Sequence, residues 1–471
     1  MSDITKSADW TTDTSSPADV QKTQWSSNFA FLMASIGTAV GLANIWRFPY
    51  TAGTNGGGAF VFVYILAVLA IAMPILIAEL LVGRRGRLSP PGAIAVVSRE
   101  SGLSTRWRHM GNMGVVAAVI VLSFYCIVGG WTLAYVLKMA NGSFDGADVA
   151  TITAGFDGLV GNVGAMVSWH LVFLLTVVLI SSIGIRNGVE RLVKLLMPAL
   201  FVMLLLLVGY GAIAGDFRQA FTFLFTPDFS QITSKVVLEA IGQAFFSISV
   251  GLTNLMAYGA YMSRQTSLPR SSLLIVGADT LIALLAGLAI FPIIFAYGLD
   301  PSGGPGLVFV SLPVAFSQIT GGALLGGFFF LLLFFAALTS AICMLEVPTS
   351  WLAERFSWSR RRAAISAGAL AWGLGLLSVF SFNIWSDVHP LGMFTLFENK
   401  TFFDLFDYIT ANIAMPLGGI FVALFAGWGI KKQFTADELS LAPQSLLYRG
   451  WLFSVRILAP LALTMVFISN I

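Results

Sequence analysis

Charged residues are scarce in this sequence, and so are the residues that build metal centres and disulfides. Only 10% of the 471 residues are charged, and the chain contains 3 His and 2 Cys. Ordinary soluble domains carry about 25% charged residues, so this composition excludes that class. Cys126 and Cys343 both lie in apolar runs, which predicts buried free thiols rather than a disulfide framework.

Nucleotide chemistry and nucleophilic catalysis also lack their usual residues. No glycine-rich phosphate loop follows a predicted strand, so ATP is not expected as the energy source. The histidines, His109, His170 and His389, lie at helix ends or in loops and form no Cys/His metal cluster. No nucleophile–base pair can be assigned to one site, so the chain is not expected to be an enzyme.

Long apolar runs dominate the rest of the chain, which is 57% hydrophobic. The runs are continuously apolar rather than alternating, which excludes a transmembrane β-barrel. At about 20 residues per span, they predict an all-α membrane protein of eleven transmembrane helices, here called spans 1 to 11. The predicted spans cover residues 28–52, 58–83, 111–138, 168–184, 192–214, 238–262, 272–298, 322–353, 363–382, 402–429 and 450–469.

Basic residues are concentrated in every second loop between these spans. The segment after span 2 alone contains Arg84, Arg85, Arg87, Arg99, Arg106 and Arg108. The positive-inside rule therefore predicts a cytoplasmic N-terminus and an external C-terminus. The polar residues 1–27 are then a cytosolic tail rather than a cleaved signal peptide. Short loops indicate a bacterial protein of the inner (cytoplasmic) membrane.

Span 1 contains the most disruptive stretch of the chain, from Ser35 to Gly57. Glycine weakens a helix, and proline cannot donate the backbone hydrogen bond that a continuous helix requires. In hydrocarbon, freed backbone groups are tolerated only where protein buries them or where they line a watery cavity. The stretch contains Gly37, Gly41, Asn44, Arg47 and Pro49. It predicts a broken helix that offers backbone groups to a ligand.

A second interrupted helix is predicted five spans later, between Ile241 and Tyr261. Its polar and small residues are Ser247, Ser249, Gly251, Thr253 and Asn254. Broken helices at matching places in two halves indicate a binding site near the bilayer midplane of a secondary transporter. The predicted organisation is a tail over 1–27, a first inverted repeat over 28–214, an extracellular loop over 215–237, a second inverted repeat over 238–429, a cytosolic loop over 430–449 and an extra helix within 450–471.

Further polar residues lie inside other spans. Thr339 and Ser340 place adjacent hydroxyls in span 8, and Asp279 places a carboxylate in span 7. Alkali cations require several oxygen ligands, which these residues and the carbonyls of the broken helices supply. For the other two intramembrane carboxylates, Glu79 and Glu346, pairing with backbone or water is favoured.

The motifs of these spans resemble those of the neurotransmitter:sodium symporter family, with the bacterial leucine transporter as the member compared. The resemblance covers essentially the whole chain. It includes A-V-G-L-A-N-I-W-R-F-P-Y from Ala39, G-Q-A-F-F-S-I-S-V-G from Gly242, L-A-G-L-A-I-F-P from Leu285 and A-A-L-T-S from Ala336. It implies two sodium sites, a substrate whose carboxylate joins the first of them, and a gate on each side of the membrane.

This resemblance implies a role for each candidate residue, in a sodium site, in the substrate site or in a gate. The first sodium site would use Ala39, Asn44, Ser247 and Asp279, and the second Gly37, Val40, Ala336, Thr339 and Ser340. The substrate site would comprise Ala39, Gly41, Ala43, Val121, Tyr125, Phe246, Ser249, Leu252, Ser340 and Met344. The outer gate would pair Arg47 with Asp407, and the inner gate would use Lys22, Trp25, Tyr261 and Glu354.

Four positions differ informatively within the family. The leucine transporter has an amide at Asp279 and a threonine at Ser247, and a carboxylate at Asp279 would supply the charge for which other members use chloride. Monoamine carriers place an aspartate at Gly41, so a glycine favours a substrate that brings its own carboxylate. Ala43 stands where most members have glycine.

The resemblance therefore implies chloride-independent, sodium-coupled symport of a neutral amino acid with a hydrophobic side chain, by alternating access. Three alternatives stay open at this point. The substrate could be a small amino acid or a β- or γ-amino acid such as taurine or GABA. The scaffold could serve as a channel or a non-transporting sensor, and protons could couple through Asp279 or Glu346.

Overall fold

A bundle of long apolar helices forms the protein. The computed structural model describes residues 24–298, 307–318 and 321–470, and these contain no strand. Nine described helices are long and apolar enough to cross a membrane, with mean hydropathy from 1.8 to 2.9. They are α3 (Gly58–Gly86), α5 (Thr105–Ala140), α7 (Val163–Ile183), α8 (Ile185–Ala214), α12 (Leu268–Ala296), α14 (Gly322–Phe356), α15 (Arg360–Phe380), α16 (Phe402–Gly429) and α18 (Leu446–Ser469).

Nine shorter helices complete the described fold. Two of them, α1 (Asn28–Ala39) and α2 (Ala43–Thr54), pass the same test as a bent pair, and α10 (Ser234–Ile248) and α11 (Asn254–Gly259) form a second interrupted pair. The other five lie between the predicted spans and are α4 (Pro90–Glu100), α6 (Val149–Gly161), α9 (Phe217–Phe225), α13 (Leu312–Ser317) and α17 (Lys432–Leu439).

The predicted break in span 1 is present, but not at its proline. The axes of α1 and α2 differ by 50°. The helix stops at Ala39, and Val40 is extended, with φ −72° and ψ 98°. Pro49 lies further on, within α2 after a π-helical turn at Ala43–Arg47. A π-turn already displaces the regular hydrogen-bond ladder, so the missing N–H of Pro49 does not end the helix.

The predicted break in span 6 is sharper. Ser249, Gly251 and Thr253 all have positive φ, at 55°, 92° and 59°. Two of these are not glycine, and left-handed backbone is unfavourable for such residues unless the surroundings hold it. Part of that support comes from α3, where the buried Glu79 carboxylate accepts a hydrogen bond of 2.7 Å from the Gly251 nitrogen.

Gly251 also brings the second break into backbone contact with α16. A Cβ atom on Gly251 would lie 3.1 Å from the Gly419 nitrogen, and nearer still to the Met415 carbonyl. Only a residue without a side chain permits this approach. The break between α10 and α11 therefore rests directly on the backbone of α16.

Both breaks lie in the interior of the bundle. The first segment, α1, packs against α8, α12 and α14, and the most extensive helix pairing joins α5 to α14. On the other side, α10 packs on α3 and α18, and α11 on α3. The unwound segments are thereby surrounded by protein, which is where backbone groups without helical partners can be satisfied.

Helix ends differ modestly from the predicted spans, and the largest shift concerns span 5. Its helix α8 begins at Ile185 rather than at residue 192, because a π-helical turn follows Gly184, whose φ is 109°. The sixth predicted span corresponds to the pair α10 and α11, with 15 and 6 residues. Each piece is too short to cross a bilayer alone.

Candidate functional site

A small cavity lies between the two breaks. Its volume is about 40 Å³. All ten residues predicted to bind substrate line it, from α1, α2, α5, α10, α14 and the two unwound segments. Four further residues, Leu42, Phe124, Thr410 and Met415, complete the wall. Leu42 and Phe124 adjoin predicted residues, whereas nothing in the sequence pointed to a contribution from α16.

Gly41 leaves the space into which polar groups from three elements project. A Cβ atom at this position would lie 2.7 Å from the Ser340 hydroxyl oxygen and 3.1 Å from the Tyr125 phenol oxygen. The Leu42 nitrogen donates to the same phenol at 3.4 Å. The tyrosine hydroxyl and the unwound backbone therefore converge where the carboxylate of an amino acid could be held.

The predicted first sodium site is a fully buried polar cluster around Asp279. One carboxylate oxygen accepts a hydrogen bond from the Asn44 amide at 2.8 Å, and the other accepts one from the Ser247 hydroxyl at 2.8 Å. Tyr64, which the sequence analysis did not single out, donates to Asp279 at 3.3 Å. Three donors from three helices thus compensate a carboxylate that has no cationic side chain within 4 Å among the described residues.

The predicted second sodium site collects oxygen atoms from α1 and α14. The Ser340 hydroxyl lies 3.3 Å from the Gly37 carbonyl oxygen and 3.5 Å from that of Val40. The Thr38 carbonyl, which was not predicted, is 3.2 Å away. The hydroxyl of Thr339 lies 3.1 Å from the Ala336 carbonyl oxygen. A Cβ atom on Gly37 would lie 3.2 Å from the Thr339 Cβ, so the two halves of the set are in contact.

Both clusters offer oxygen ligands of the kind that hard alkali cations prefer: hydroxyl and carbonyl oxygens in the second, and a hydroxyl with the Asp279 carboxylate in the first. Within the described part of the chain, no group of three His, Cys, Asp or Glu side chains could hold another kind of metal ion. The donor chemistry of both clusters therefore fits sodium.

On one side of the cavity, Phe246 and Met415 separate it from a larger cavity of about 460 Å³. The Arg47 guanidinium lies over the Phe246 ring, 4.2 Å from the ring centroid. The predicted partner of Arg47, Asp407, is exposed, and no ion pair within 4 Å joins the two described side chains.

On the opposite side, aromatic and charged residues close the route. The Trp25 indole donates to the Tyr258 carbonyl at 3.2 Å, and its backbone nitrogen donates to the Tyr261 carbonyl at 3.1 Å. The Tyr261 hydroxyl donates to Glu346 at 2.7 Å, and Arg360 makes an ion pair with the same buried carboxylate. Glu346 is thus held by side chains rather than by the backbone or water that the sequence analysis favoured.

The other two residues predicted for this gate are placed differently. The Glu354 carboxylate accepts a hydrogen bond of 2.7 Å from the Ser89 nitrogen, at the start of α4, and no hydrogen bond or ion pair joins it to Trp25 or Tyr261. Lys22 lies outside the described residues.

Comparison with known proteins gives the family. The model of the sodium:neurotransmitter symporter family matches residues 22–148 and 144–471. The chain belongs to this family. The resemblance found in the sequence is therefore confirmed, and the protein is a sodium-dependent, multi-pass membrane transporter by family, which is not an enzyme class.

Individual proteins are similar to this chain over most of its length. An uncharacterized sodium-dependent transporter, YhdH of Bacillus subtilis (strain 168), is 36% identical over 451 residues, which cover 95% of this chain and 97% of YhdH. The sodium-dependent nutrient amino acid transporter 1 of Drosophila grimshawi is 24% identical over 78% of this chain and 66% of its own. The crystal structure of MhsT in complex with L-phenylalanine shares 40% identity and a TM-score of 0.86, covering 95% of this chain and 100% of MhsT.

Proposed function

We propose that the protein is a sodium-coupled, chloride-independent symporter of neutral amino acids with hydrophobic side chains. The observation that carries this proposal is the cavity between two broken helices, with two buried oxygen clusters beside it. In this proposal the chain crosses the bacterial cytoplasmic membrane eleven times. Residues 28–214 and 238–429 form the inverted repeats, and the N-terminus is cytoplasmic.

The substrate would be held at its two charged groups. Its carboxylate would receive the Tyr125 hydroxyl and approach the sodium at the Asp279 cluster. Its ammonium group would donate to free carbonyls of the unwound segments and to Ser249, whose left-handed backbone turns it toward the cavity wall. These contacts need an α-amino acid that carries its own carboxylate, because Gly41 supplies none.

The side-chain end of the cavity is apolar. Its lining residues there are Val121, Phe124, Phe246, Leu252, Met344 and Met415. Apolar walls with flexible methionines accommodate hydrophobic groups of different shape. This supports a neutral hydrophobic substrate, as does the L-phenylalanine bound to the similar protein MhsT.

Sodium and substrate would stabilise each other because the Asp279 carboxylate and the substrate carboxylate would both approach the first sodium ion. Such coupling is reciprocal, so sodium must raise the affinity for the amino acid by the factor by which the amino acid raises the affinity for sodium. The membrane potential would add about 2.3 kcal/mol per charge per 100 mV. Because Asp279 is a permanent part of the ion cluster, it would provide the negative charge without chloride.

Alternating access would use the two barriers around the cavity. The inner barrier would be formed by Trp25, Tyr261 and Glu346. The outer barrier would be formed by Phe246, whose ring lies against Arg47. The structure then corresponds to a state with a closed inner barrier and an outer cavity that ends at Phe246 and Met415.

A second candidate is a carrier of small or of β- and γ-amino acids, and one observation favours the small ones. The cavity of about 40 Å³ is much smaller than typical ligand pockets, which measure about 300–1,000 Å³. A hydrophobic amino acid would require side chains of the apolar wall, such as Phe246 and Met344, to move.

Uptake by purified protein in liposomes tests these proposals. Tritiated phenylalanine, leucine, glycine, taurine and GABA are offered with an inward sodium gradient, with a proton gradient alone, or with neither. Accumulation of phenylalanine and leucine only with sodium is expected. Accumulation of glycine, taurine or GABA instead would select the second candidate, accumulation driven by protons would replace sodium coupling, and binding without accumulation would indicate a sensor.

A further inference from the structure

A second large cavity shares no lining residue with the candidate substrate site. Its volume is about 440 Å³. It is bounded by one face of α4, by the beginning of α5 and by the end of α14. Since α3 ends at Gly86, α5 begins at Thr105 and α14 ends at Phe356, this cavity lies where spanning helices meet the membrane surface. Phospholipid phosphates lie at the same level.

Positive charge dominates the cavity wall. Arg99, Arg108 and Arg355 line it together with one carboxylate, Glu354. Glu354 is already engaged, because it accepts the hydrogen bond from the Ser89 nitrogen at 2.7 Å. The wall therefore contains three guanidinium groups and one carboxylate.

Two of these arginines differ from their neighbours in the same loop region. Arg84 is paired with Glu438 at 2.7 Å and Arg85 with Glu100 at 2.5 Å. By contrast, Arg99 and Arg108 form no ion pair within 4 Å with any described residue. A guanidinium presents several donors in a planar fork that matches phosphate oxygens.

A buried polar group provides an independent observation at the same wall. Ser89 lines the cavity and is only 5% exposed, and its hydroxyl has no hydrogen-bond partner among the described residues. Buried hydroxyls are nearly always hydrogen-bonded, so this hydroxyl is available to a group bound in the cavity. A phosphate oxygen could accept this hydrogen bond.

Apolar residues form the remaining wall and distinguish a lipid from a free anion. Pro91, Ala95 and Trp351 line the cavity beside the arginines, and Leu88 at its edge is 39% exposed. A free inorganic phosphate would gain nothing from these side chains, whereas the glycerol and first methylenes of a lipid would bury apolar surface there.

We propose that this cavity binds the phosphate group of an anionic phospholipid, with Arg99, Arg108 and Ser89 as its donors and Trp351 against its glycerol. The site is separate from the candidate substrate site, and the proposal does not rest on the proposed transport function. Occupancy would fix α4 to the ends of α5 and α14.

Ligand-dependent thermal unfolding of the detergent-purified, delipidated protein tests this. The probes are dioctanoyl phosphatidylglycerol, dioctanoyl phosphatidylcholine and inorganic phosphate. The variants are R99Q/R108Q and the control R361Q/R449Q, which removes the same charge from two exposed arginines outside the cavity. Phosphatidylglycerol should raise the unfolding temperature of the wild type more than the other two probes.

The phosphatidylglycerol concentration that gives half-maximal stabilisation should rise about tenfold or more in R99Q/R108Q, because one or two charged hydrogen bonds would be lost. In the control it should rise less than about twofold. Equal losses in both variants would overturn the site, because the lipid would then respond only to the overall surface charge. Equal stabilisation by inorganic phosphate would overturn the lipid assignment, and no effect of phosphatidylglycerol would overturn both. If R99Q/R108Q does not fold, R99K/R108K keeps the charge but loses the planar fork, and an unchanged half-maximal concentration there would contradict the proposal.

Discussion

The Arg47 guanidinium lies 4.2 Å from the centroid of the Phe246 ring. Phe246, with Met415, also forms the wall between the small inner cavity and the larger outer one. A cation over a desolvated aromatic face is attracted by about 2 kcal/mol. Arg47 therefore stabilises the orientation of the Phe246 ring, which separates the two cavities. It does so by its contact with the ring and not by an ion pair with Asp407.

Replacing Arg47 tests whether this contact closes the outer barrier. We expect Arg47→Ala to lower sodium-driven uptake more than about tenfold, the loss that about 1.4 kcal/mol of the contact would cause. Sodium affinity, measured by ion-dependent thermal stabilisation, should change less than about twofold. Asp407→Asn is the matched control and should retain most uptake. A loss in that variant as large as in Arg47→Ala would show that the two residues act as an ion pair during transport.

Gly41 should not tolerate even one carbon atom. In Gly41→Ala the new methyl would lie 2.7 Å from the Ser340 hydroxyl oxygen and 3.1 Å from the Tyr125 phenol oxygen. Both groups belong to proposed ligands, so amino acid binding measured by scintillation proximity should weaken about tenfold or more. Gly242→Ala, where a methyl would meet nothing within 4 Å, serves as control. Equal binding by the two variants would contradict the placement of the carboxylate beside Gly41.

Asp279 should determine the response to chloride. The wild type should transport equally well when gluconate replaces chloride, because the Asp279 carboxylate stays in the cluster. In Asp279→Asn the shape is kept and the charge is lost, so uptake without chloride should fall about tenfold or more, and chloride should restore part of it. Ser247→Thr, which keeps the hydroxyl, should change uptake by less than about threefold. Collapse of wild-type uptake in gluconate would refute chloride independence.

Glu346 should hold the inner barrier closed. Glu346→Gln leaves Arg360 without its carboxylate partner and weakens the bond from Tyr261, and removing one partner of a buried pair is costly. Native Cys343 is buried on the same helix, 3.7 Å from the Asn254 carbonyl oxygen, and reports the opening. In a Cys126→Ser background, its alkylation by a membrane-permeant maleimide should speed up at least fivefold, corresponding to about 1 kcal/mol.

Glu354→Gln provides the comparison for this measurement. Its carboxylate accepts a hydrogen bond from the Ser89 nitrogen and does not bond to Tyr261. We therefore expect little change in Cys343 alkylation. Faster alkylation in Glu354→Gln than in Glu346→Gln would reverse the assignment and restore Glu354 to the inner gate, as the family pattern implied.

The two breaks could be predicted because their causes are local. Glycines and polar side chains in apolar runs weaken a helix wherever it lies, and the structure interrupts both predicted helices. The position of the first break was harder, since Pro49 is the most obvious helix breaker yet lies inside α2. The π-turn ahead of it depends on packing that the sequence does not display.

Residues that act through distant contacts could not be selected from the sequence. Tyr64 in an apolar run has the appearance of a core aromatic, and only the bundle brings it to 3.3 Å from Asp279. Thr410 and Met415 reach the cavity through the π-helical turn at Ile409–Ala414, which changes the face that α16 presents. Glu346 and Glu354 both follow the hydroxyl pair on α14, and their different partners are decided by α4 and α15.

The contact between Gly251 and the backbone of α16 has a mechanical consequence. Because no side chain lies between them to deform, the break between α10 and α11 and the middle of α16 should move together. A spectroscopic label on α16 should therefore report a movement of α10 and α11, although the label itself lies outside both unwound segments at the candidate substrate site.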